Sequence, residues 1–198
     1  MTESVTGLKA RLREEIRGRL ALMSPETRRL DSSRICGTIE AEAAWSRASS
    51  VLGFVPMARE PDLLPLLRSA ASAGRRVCVP RWNPTLQAYE AAELPSAEGL
   101  VPGAHGVLEP AAMFPAHPLE RLDLVLVPGL AFDRHGSRLG RGRGFYDRLL
   151  RQASSASRWG VAFDPQIVDS VPSEPHDVKV HILVTPGLGW TLPNRLLQ

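Results

Sequence analysis

Between residues 136 and 147 the chain reads Gly136-Ser137-Arg138-Leu139-Gly140-Arg141-Gly142-Arg143-Gly144-Phe145-Tyr146-Asp147. Glycines at 140, 142 and 144 let the backbone approach an anion closely, because no Cβ intervenes. The interleaved Arg141 and Arg143 carry planar forks that bind phosphate oxygens two at a time. The run has no G-K-[ST] ending and no G-x-G-x-x-G spacing, so neither a Walker loop nor a dinucleotide fingerprint is present. Asp147 has two readings: a first-turn helix acid favoured by the dipole, or a carboxylate ligand for magnesium beside a polyphosphate. The arginines also have a bland reading, as a solvated surface hairpin. Their crowding argues for an anion instead, since like charges repel without one.

Such a loop needs a strand before it and a helix after it. Leu122–Val127 (LDLVLV) reads as a buried strand and Phe145–Gln152 as a helix, so the glycines sit at a helix N-terminus, where unpaired N–H groups face an anion. Upstream, Leu8, Leu12, Ile16 and Leu20 recur every four residues and predict an amphipathic helix. Ser24-Pro25-Glu26 starts a second helix, expected to run to about Trp45. Ser50–Pro56 reads as a buried strand, Glu60 to Ala73 as a helix closed by Gly74, and Arg76–Val79 as a strand stopped by Pro80. That spacing is a βαβ unit and makes the sheet at least partly parallel. Leu86–Glu93 is an antiparallel candidate, and the Pro-, Gly- and Ala-rich stretch 94–121 is expected to wrap the surface. Trp159–Phe163 and Val180–Thr185 complete the strands. With no repeat or linker, residues 1–198 are expected to form one α/β domain, with a mostly parallel central sheet and helices on both faces.

The totals agree. A chain of 198 residues with 43 % hydrophobic and 23 % charged residues can bury a full core. No run approaches the length of a membrane span, and Met1–Ala10 lacks a secretory apolar segment, so a cytoplasmic protein is expected. Cys36 and Cys78 form no C-x-x-C pair and read as small buried residues. The charge of +3 and pI of about 9.3 are mildly basic, but no basic tract interleaves with aromatics, which argues against nucleic acid.

The run GSRLGRGRGFYDRLL, preceded by LDLVLVPGLAFDRHG, resembles the signature of the 5-formyltetrahydrofolate cyclo-ligase family, also called 5,10-methenyltetrahydrofolate synthetase. Lys9-Ala10-Arg11-Leu12-Arg13, Glu60-Pro61-Asp62 and Pro175-His176-Asp177-Val178, with Val180-His181 and Thr185, extend the resemblance along nearly the whole chain. It implies ATP- and Mg²⁺-dependent cyclisation of 5-formyltetrahydrofolate. It implies ATP contacts from Lys9 and Arg13 and from Arg138, Leu139, Gly140, Arg141, Gly142, Arg143, Gly144, Phe145 and Tyr146. Met57 and Asp62 would touch the pterin, Arg141 to Phe145 would border the folate, and Asp147 and Asp177 would hold magnesium. Arg141, Arg143 and Lys9 would supply the catalytic charge. Two departures stand out: Phe145 replaces a usual tyrosine, and the family often has lysine or glycine at 143.

The partners so implied are small molecules, with no nucleic acid and no membrane, and a monomer is expected. Two other functions fit the same loop. One is an ATP-using relative acting on another formylated or carboxylated small molecule. The other is a non-catalytic nucleotide- or RNA-binding module, which would have no need of Asp147 and Asp177. His176 and His181 read as polar residues flanking a strand. Trp82, beside Pro80 and Arg81, is the tryptophan best placed to meet a pterin.

Overall fold

The structure, a computed structural model, describes residues 4–95, 98–187 and 189–191. Among the described residues there are five α-helices: α1 (Val5–Ala21), α2 (Pro25–Ala41), α3 (Ala43–Arg47), α4 (Leu64–Ser72) and α5 (Phe145–Gln152). The strands are β1 (Ser50–Leu52), β2 (Arg76–Asn83), β3 (Ala88–Glu93), β4 (Leu100–Pro102), β5 (Leu108–Pro110), β6 (Ala116–His117), β7 (Leu124–Pro128), β8 (Ala131–Asp133), β9 (Arg138–Leu139), β10 (Ser157–Val161), β11 (Ile167–Val168), β12 (Ile182–Val184) and β13 (Gly189–Thr191). Eight of them form the main sheet in the order β13-β12-β10-β7-β1-β2-β3-β6. Its centre, from β12 through β2, is parallel, and β13, β3 and β6 are antiparallel additions at the edges. Among the described residues no helix is long and apolar enough to cross a membrane.

Alternation along the strands sends side chains to two cores, as the two-residue period requires. Leu124 and Leu126 of β7 join Ile16, Leu20, Ile35, Ile39 and Leu67 from α1, α2 and α4 on one face. Val125 and Val127 join Leu149 and Leu150 of α5 on the other. Helices therefore cover both faces of a mostly parallel sheet, as the sequence predicts.

Several boundaries differ from the expected ones, each for a local reason. Ser24 caps α2 through its side chain, which accepts from Thr27 N–H at 3.0 Å. The helix stops at Ala41 because Glu42 is extended (ψ 127°), and the short α3 then turns Trp45 into the core. The strand expected over 50–56 ends at Leu52. Gly53 N–H donates to Cys78 C=O at 2.8 Å, and the next bond of the parallel ladder would need an N–H from Pro80, which has none. Pro80 itself does not stop β2, because beyond that point the strand is carried by its antiparallel pairing with β3. The helix expected from Glu60 begins at Leu64. Residues 57–60 form a turn, with Glu60 N–H on Met57 C=O at 2.9 Å, and the Asp62 carboxylate accepts from Leu64 N–H at 3.0 Å.

Candidate active site

The buried strand β7 does not lead directly into a loose loop. It leads into a hairpin, β8–β9, where the sequence predicts only loop. Gln166, 1 % exposed, donates to Gly129 C=O at 2.8 Å and Leu130 C=O at 3.2 Å, fixing the entry to the hairpin. Gly129 admits no side chain there, since a Cβ would lie 2.7 Å from the buried Phe132 ring. Asp133, 2 % exposed, closes the turn by accepting from His135, Ser137 and Val171 N–H, each at 2.9 Å. Only 140–144 remains as open loop. Gly142 and Gly144 lie at φ +105° and +63°, a region L side chains seldom adopt, and Gly144 is the N-cap of α5.

The charged groups around this loop are organised within the protein. Arg138 is almost fully buried and donates from Nη2 to Asp147 Oδ1 at 2.7 Å, its guanidinium 5.9 Å over the Tyr146 ring. Arg141 donates to Glu60 Oε1 from Nη2 (2.7 Å) and Nε (3.2 Å), and Arg13 Nε donates to Gly140 C=O at 2.9 Å. The expectation that arginine crowding needs an external anion is thereby corrected: Arg138 and Arg141 are each neutralised by a carboxylate of the chain. Lys9 Nζ lies 2.6 Å from Asp177 and 2.8 Å from Glu174. Burial pushes the Lys9 ammonium down, but those two carboxylates overcome it and hold its pKa above 10.5. For Asp177, burial raises the carboxyl, and the bonds from Lys9 and Glu174 N–H outweigh it, leaving the group below its ordinary 3.8.

Beside the loop lies a cavity of about 240 Å³. Met57, Glu60, Arg138, Gly140, Arg141, Arg143, Gly144, Phe145, Tyr146 and Asp147 line it, together with Phe54, Tyr89, Leu108 and Glu109, which the sequence reading did not single out. Tyr89, Phe145 and Trp82 meet edge to face, with centroids 5.2–5.4 Å apart. Burial, and the nearby Glu109 carboxylate, push the Tyr89 hydroxyl above 10, with Arg143 opposing. Other predicted residues stand elsewhere. The Leu139 side chain is core, 1 % exposed, and so offers a ligand nothing but backbone. The Asp62 carboxylate accepts from Leu64 N–H and is not among the lining residues; Glu60 is the acid of that segment at the cavity. Gly142, Lys9, Arg13 and Asp177 are not in the lining either, although a Cβ on Gly142 would lie 3.6 Å from the Arg13 guanidinium carbon.

A magnesium ion would take oxygen ligands, of which Asp147 and Asp177 are the candidates. Val178 N–H donates to Asp147 Oδ1 at 3.2 Å, which draws Asp147 against the segment that carries Asp177. The hydrogen bonds use Oδ1 of Asp147 and Oδ2 of Asp177, while His176 Nε2 stands 3.7 Å from Asp177 Oδ1. Glu174, His176 and Asp177 also bring ligand atoms within 4.8 Å of one another, a grouping the sequence reading did not see. The Lys9 ammonium already stands against two of those three, so a dication bound there would have to share them with it.

The sequence pattern of the 5-formyltetrahydrofolate cyclo-ligase family matches residues 5–186. The chain is 34 % identical over 168 residues to the 5-formyltetrahydrofolate cyclo-ligase of Mycolicibacterium smegmatis, covering 77 % of this chain and 84 % of that protein. It is 36 % identical over 152 residues to the enzyme of the same name from Escherichia coli K12, covering 72 % and 81 %. In three dimensions it is similar to the 5,10-methenyltetrahydrofolate synthetase of Aquifex aeolicus, with a TM-score of 0.84, 29 % identity and coverage of 94 % and 93 %. The synthetase of Mycoplasma pneumoniae shares the fold at a TM-score of 0.72 and 17 % identity, covering 90 % of this chain and 98 % of that one.

Proposed function

The chain belongs to the 5-formyltetrahydrofolate cyclo-ligase family, and from that premise we propose how its cavity turns 5-formyltetrahydrofolate into 5,10-methenyltetrahydrofolate. The family implies ATP as the second substrate. The N5-formyl group is an amide whose oxygen leaves poorly, so the γ-phosphoryl group passes first to that oxygen, releasing ADP. N10 then attacks the activated formyl carbon. The C–O bond breaks with its electrons on the departing inorganic phosphate, N10 gives up its proton, and the methenyl bridge remains.

Phosphoryl transfer depends mostly on positioning and on charge stabilisation. Those are the tasks assigned here to the loop: Gly140 to Gly144 admit the triphosphate to the backbone, and Arg141 and Arg143 face its oxygens. Lys9 and Arg13 act from α1, Lys9 through its grip on Asp177 and Arg13 through its hold on Gly140 C=O. Asp147 and Asp177 would hold Mg²⁺, which when bound would neutralise charge on the phosphates. Met57, Tyr89 and Phe145 form the apolar side that takes the folate. No nucleophilic side chain is required by this chemistry.

The observation that carries the proposal is the makeup of one cavity wall. The open glycine loop and its arginines adjoin aromatic and apolar residues, so an anion grip and a ring-binding slot share one space. The purified protein mixed with ATP, Mg²⁺ and 5-formyltetrahydrofolate is expected to develop the methenyl chromophore. Omission of either ATP or the metal should abolish it. A chromophore that forms equally well without ATP would sink the phosphoryl route, and one indifferent to chelation would remove magnesium from it.

A further inference from the structure

Glu109, in β5, lines the cavity and is only 5 % exposed. Its Oε2 accepts from the backbone N–H of Trp82 at 3.0 Å. Its Oε1 is buried and has no hydrogen-bond partner among the described residues. The carboxylate is also packed from behind, since a Cβ on Gly103 would lie 2.3 Å from Glu109 Cδ. The group is thus fixed in orientation, with one acceptor satisfied and one not. An interior acceptor left without a donor is destabilising, and such groups are rare unless something else supplies the donor.

Three carboxylates line the cavity: Glu60, Glu109 and Asp147. Glu60 uses both oxygens, Oε1 on Arg141 and Oε2 on Met57 N–H at 3.0 Å. Asp147 is held by Arg138 beside the glycine loop. Glu109 stands on β5 and is tied to β2 through Trp82 N–H, with Tyr89 near enough for its charge to raise the hydroxyl's pKa.

We propose that Glu109 reads the pterin ring of 5-formyltetrahydrofolate, with Oε1 accepting from its N3–H and 2-amino edge. This rests on the folate reading given above. The pterin presents two adjacent donors on that edge, which suits a carboxylate. The adenine of ATP presents a donor beside an acceptor, and the acceptor's lone pair would face the carboxylate's own. Tyr89 and Phe145 supply apolar ring faces and edges beside the same wall, so the ring is held flat while the acid fixes its rotation. Glu109 is therefore a specificity residue for the folate and has no part in holding the nucleotide.

The test uses the full chain, titrated by calorimetry with 5-formyltetrahydrofolate and with its 2-desamino analogue, in wild type, E109Q and E109D. Wild type is expected to bind the parent folate about tenfold or more tighter than the desamino analogue, the scale of a hydrogen bond to a charged acceptor. E109Q keeps the bond to Trp82 N–H, binds the parent folate on the order of tenfold weaker, and no longer distinguishes the two ligands. E109D, with its charge withdrawn by one methylene, falls between them and guards against a folding failure of E109Q. Melting temperature and Mg-ATP affinity stay at wild-type values throughout. Undiminished discrimination in E109Q, or a loss confined to ATP binding, would overturn the assignment. A wild-type chain that bound neither folate would instead overturn the function on which the assignment rests.

Discussion

Arg141 reaches the cavity already held by two hydrogen bonds to Glu60, and Glu60 in turn accepts from Met57 N–H. A fork held in advance loses little freedom when a phosphate arrives, which is how preorganised charge favours a transition state. Arg141→Ala is expected to lower kcat/KM by roughly 10²-fold, the usual scale for removing one such donor. Its melting point should barely move, because the side chain is 43 % exposed and lies outside the core. Steady-state rates with both substrates varied would check this. Near-normal turnover would place the phosphate grip elsewhere. The arginine and glycine positions were legible in the sequence because residue type and spacing together carry their chemistry. Glu109 was not, because a lone acid in a Pro/Gly-rich stretch has no periodicity and its role depends on an N–H donor 27 residues upstream. The resemblance points to Asp62 for the pterin, whereas the turn at 57–60 brings Glu60 to the cavity and the Asp62 carboxylate accepts from Leu64 N–H at the start of α4.

At the scale of elements, Asp123 joins the starts of β1 and β7: its Oδ2 accepts from Ser49 and Ser50 N–H, both at 2.9 Å. The Ser50 N–H above all, against a smaller effect of burial, holds the carboxyl below its ordinary 3.8. A group with a depressed folded pKa contributes stability above its unfolded pKa and loses it as pH falls through the folded value. Asp123 is exposed, so solvent screening discounts the effect, and Asp123→Ala is expected to cost at most about 1 kcal/mol near neutrality. The difference from wild type should stay constant down to about pH 5 and shrink below the unfolded value. Urea unfolding at a series of pH values would measure it, and a difference that grew on acidification would contradict the assigned bonds. Helix α5 was readable to the residue, because a glycine at 144 and an amphipathic run mark both its start and its face. The β8–β9 hairpin was hidden because its strands are two or three residues long and its turn is made by a buried Asp133, whose three donors include one as distant as Val171. The end of β1 was likewise set by a proline in a neighbouring strand, which no local pattern could announce.

Across the whole molecule, the parallel centre of the sheet delivers the hairpin and α5 from β7, the segment after β1 supplies Phe54, Met57 and Glu60, and β2, β3 and β5 supply Pro80, Tyr89 and Glu109. One cavity thus collects an anion loop from one part of the chain and ring-binding residues from another. The layered α/β class was open to sequence reasoning because strand and helix periods alternate. The convergence of Tyr89, Glu109 and Phe145 was not, since it depends on strand order. On the proposed reading this convergence couples the two substrates, because the formyl oxygen meets the γ-phosphate only when both are bound. The most direct measurement follows phosphate release and the methenyl chromophore in the same cuvette. With 5-formyltetrahydrofolate present, phosphate and methenyl product are expected to appear in equal amounts. With ATP alone, with unformylated tetrahydrofolate or with an unrelated formyl amide, phosphate release should be very slow. Phosphate release without folate at a rate close to that with it would rule out this coupling, and so would methenyl product formed without phosphate.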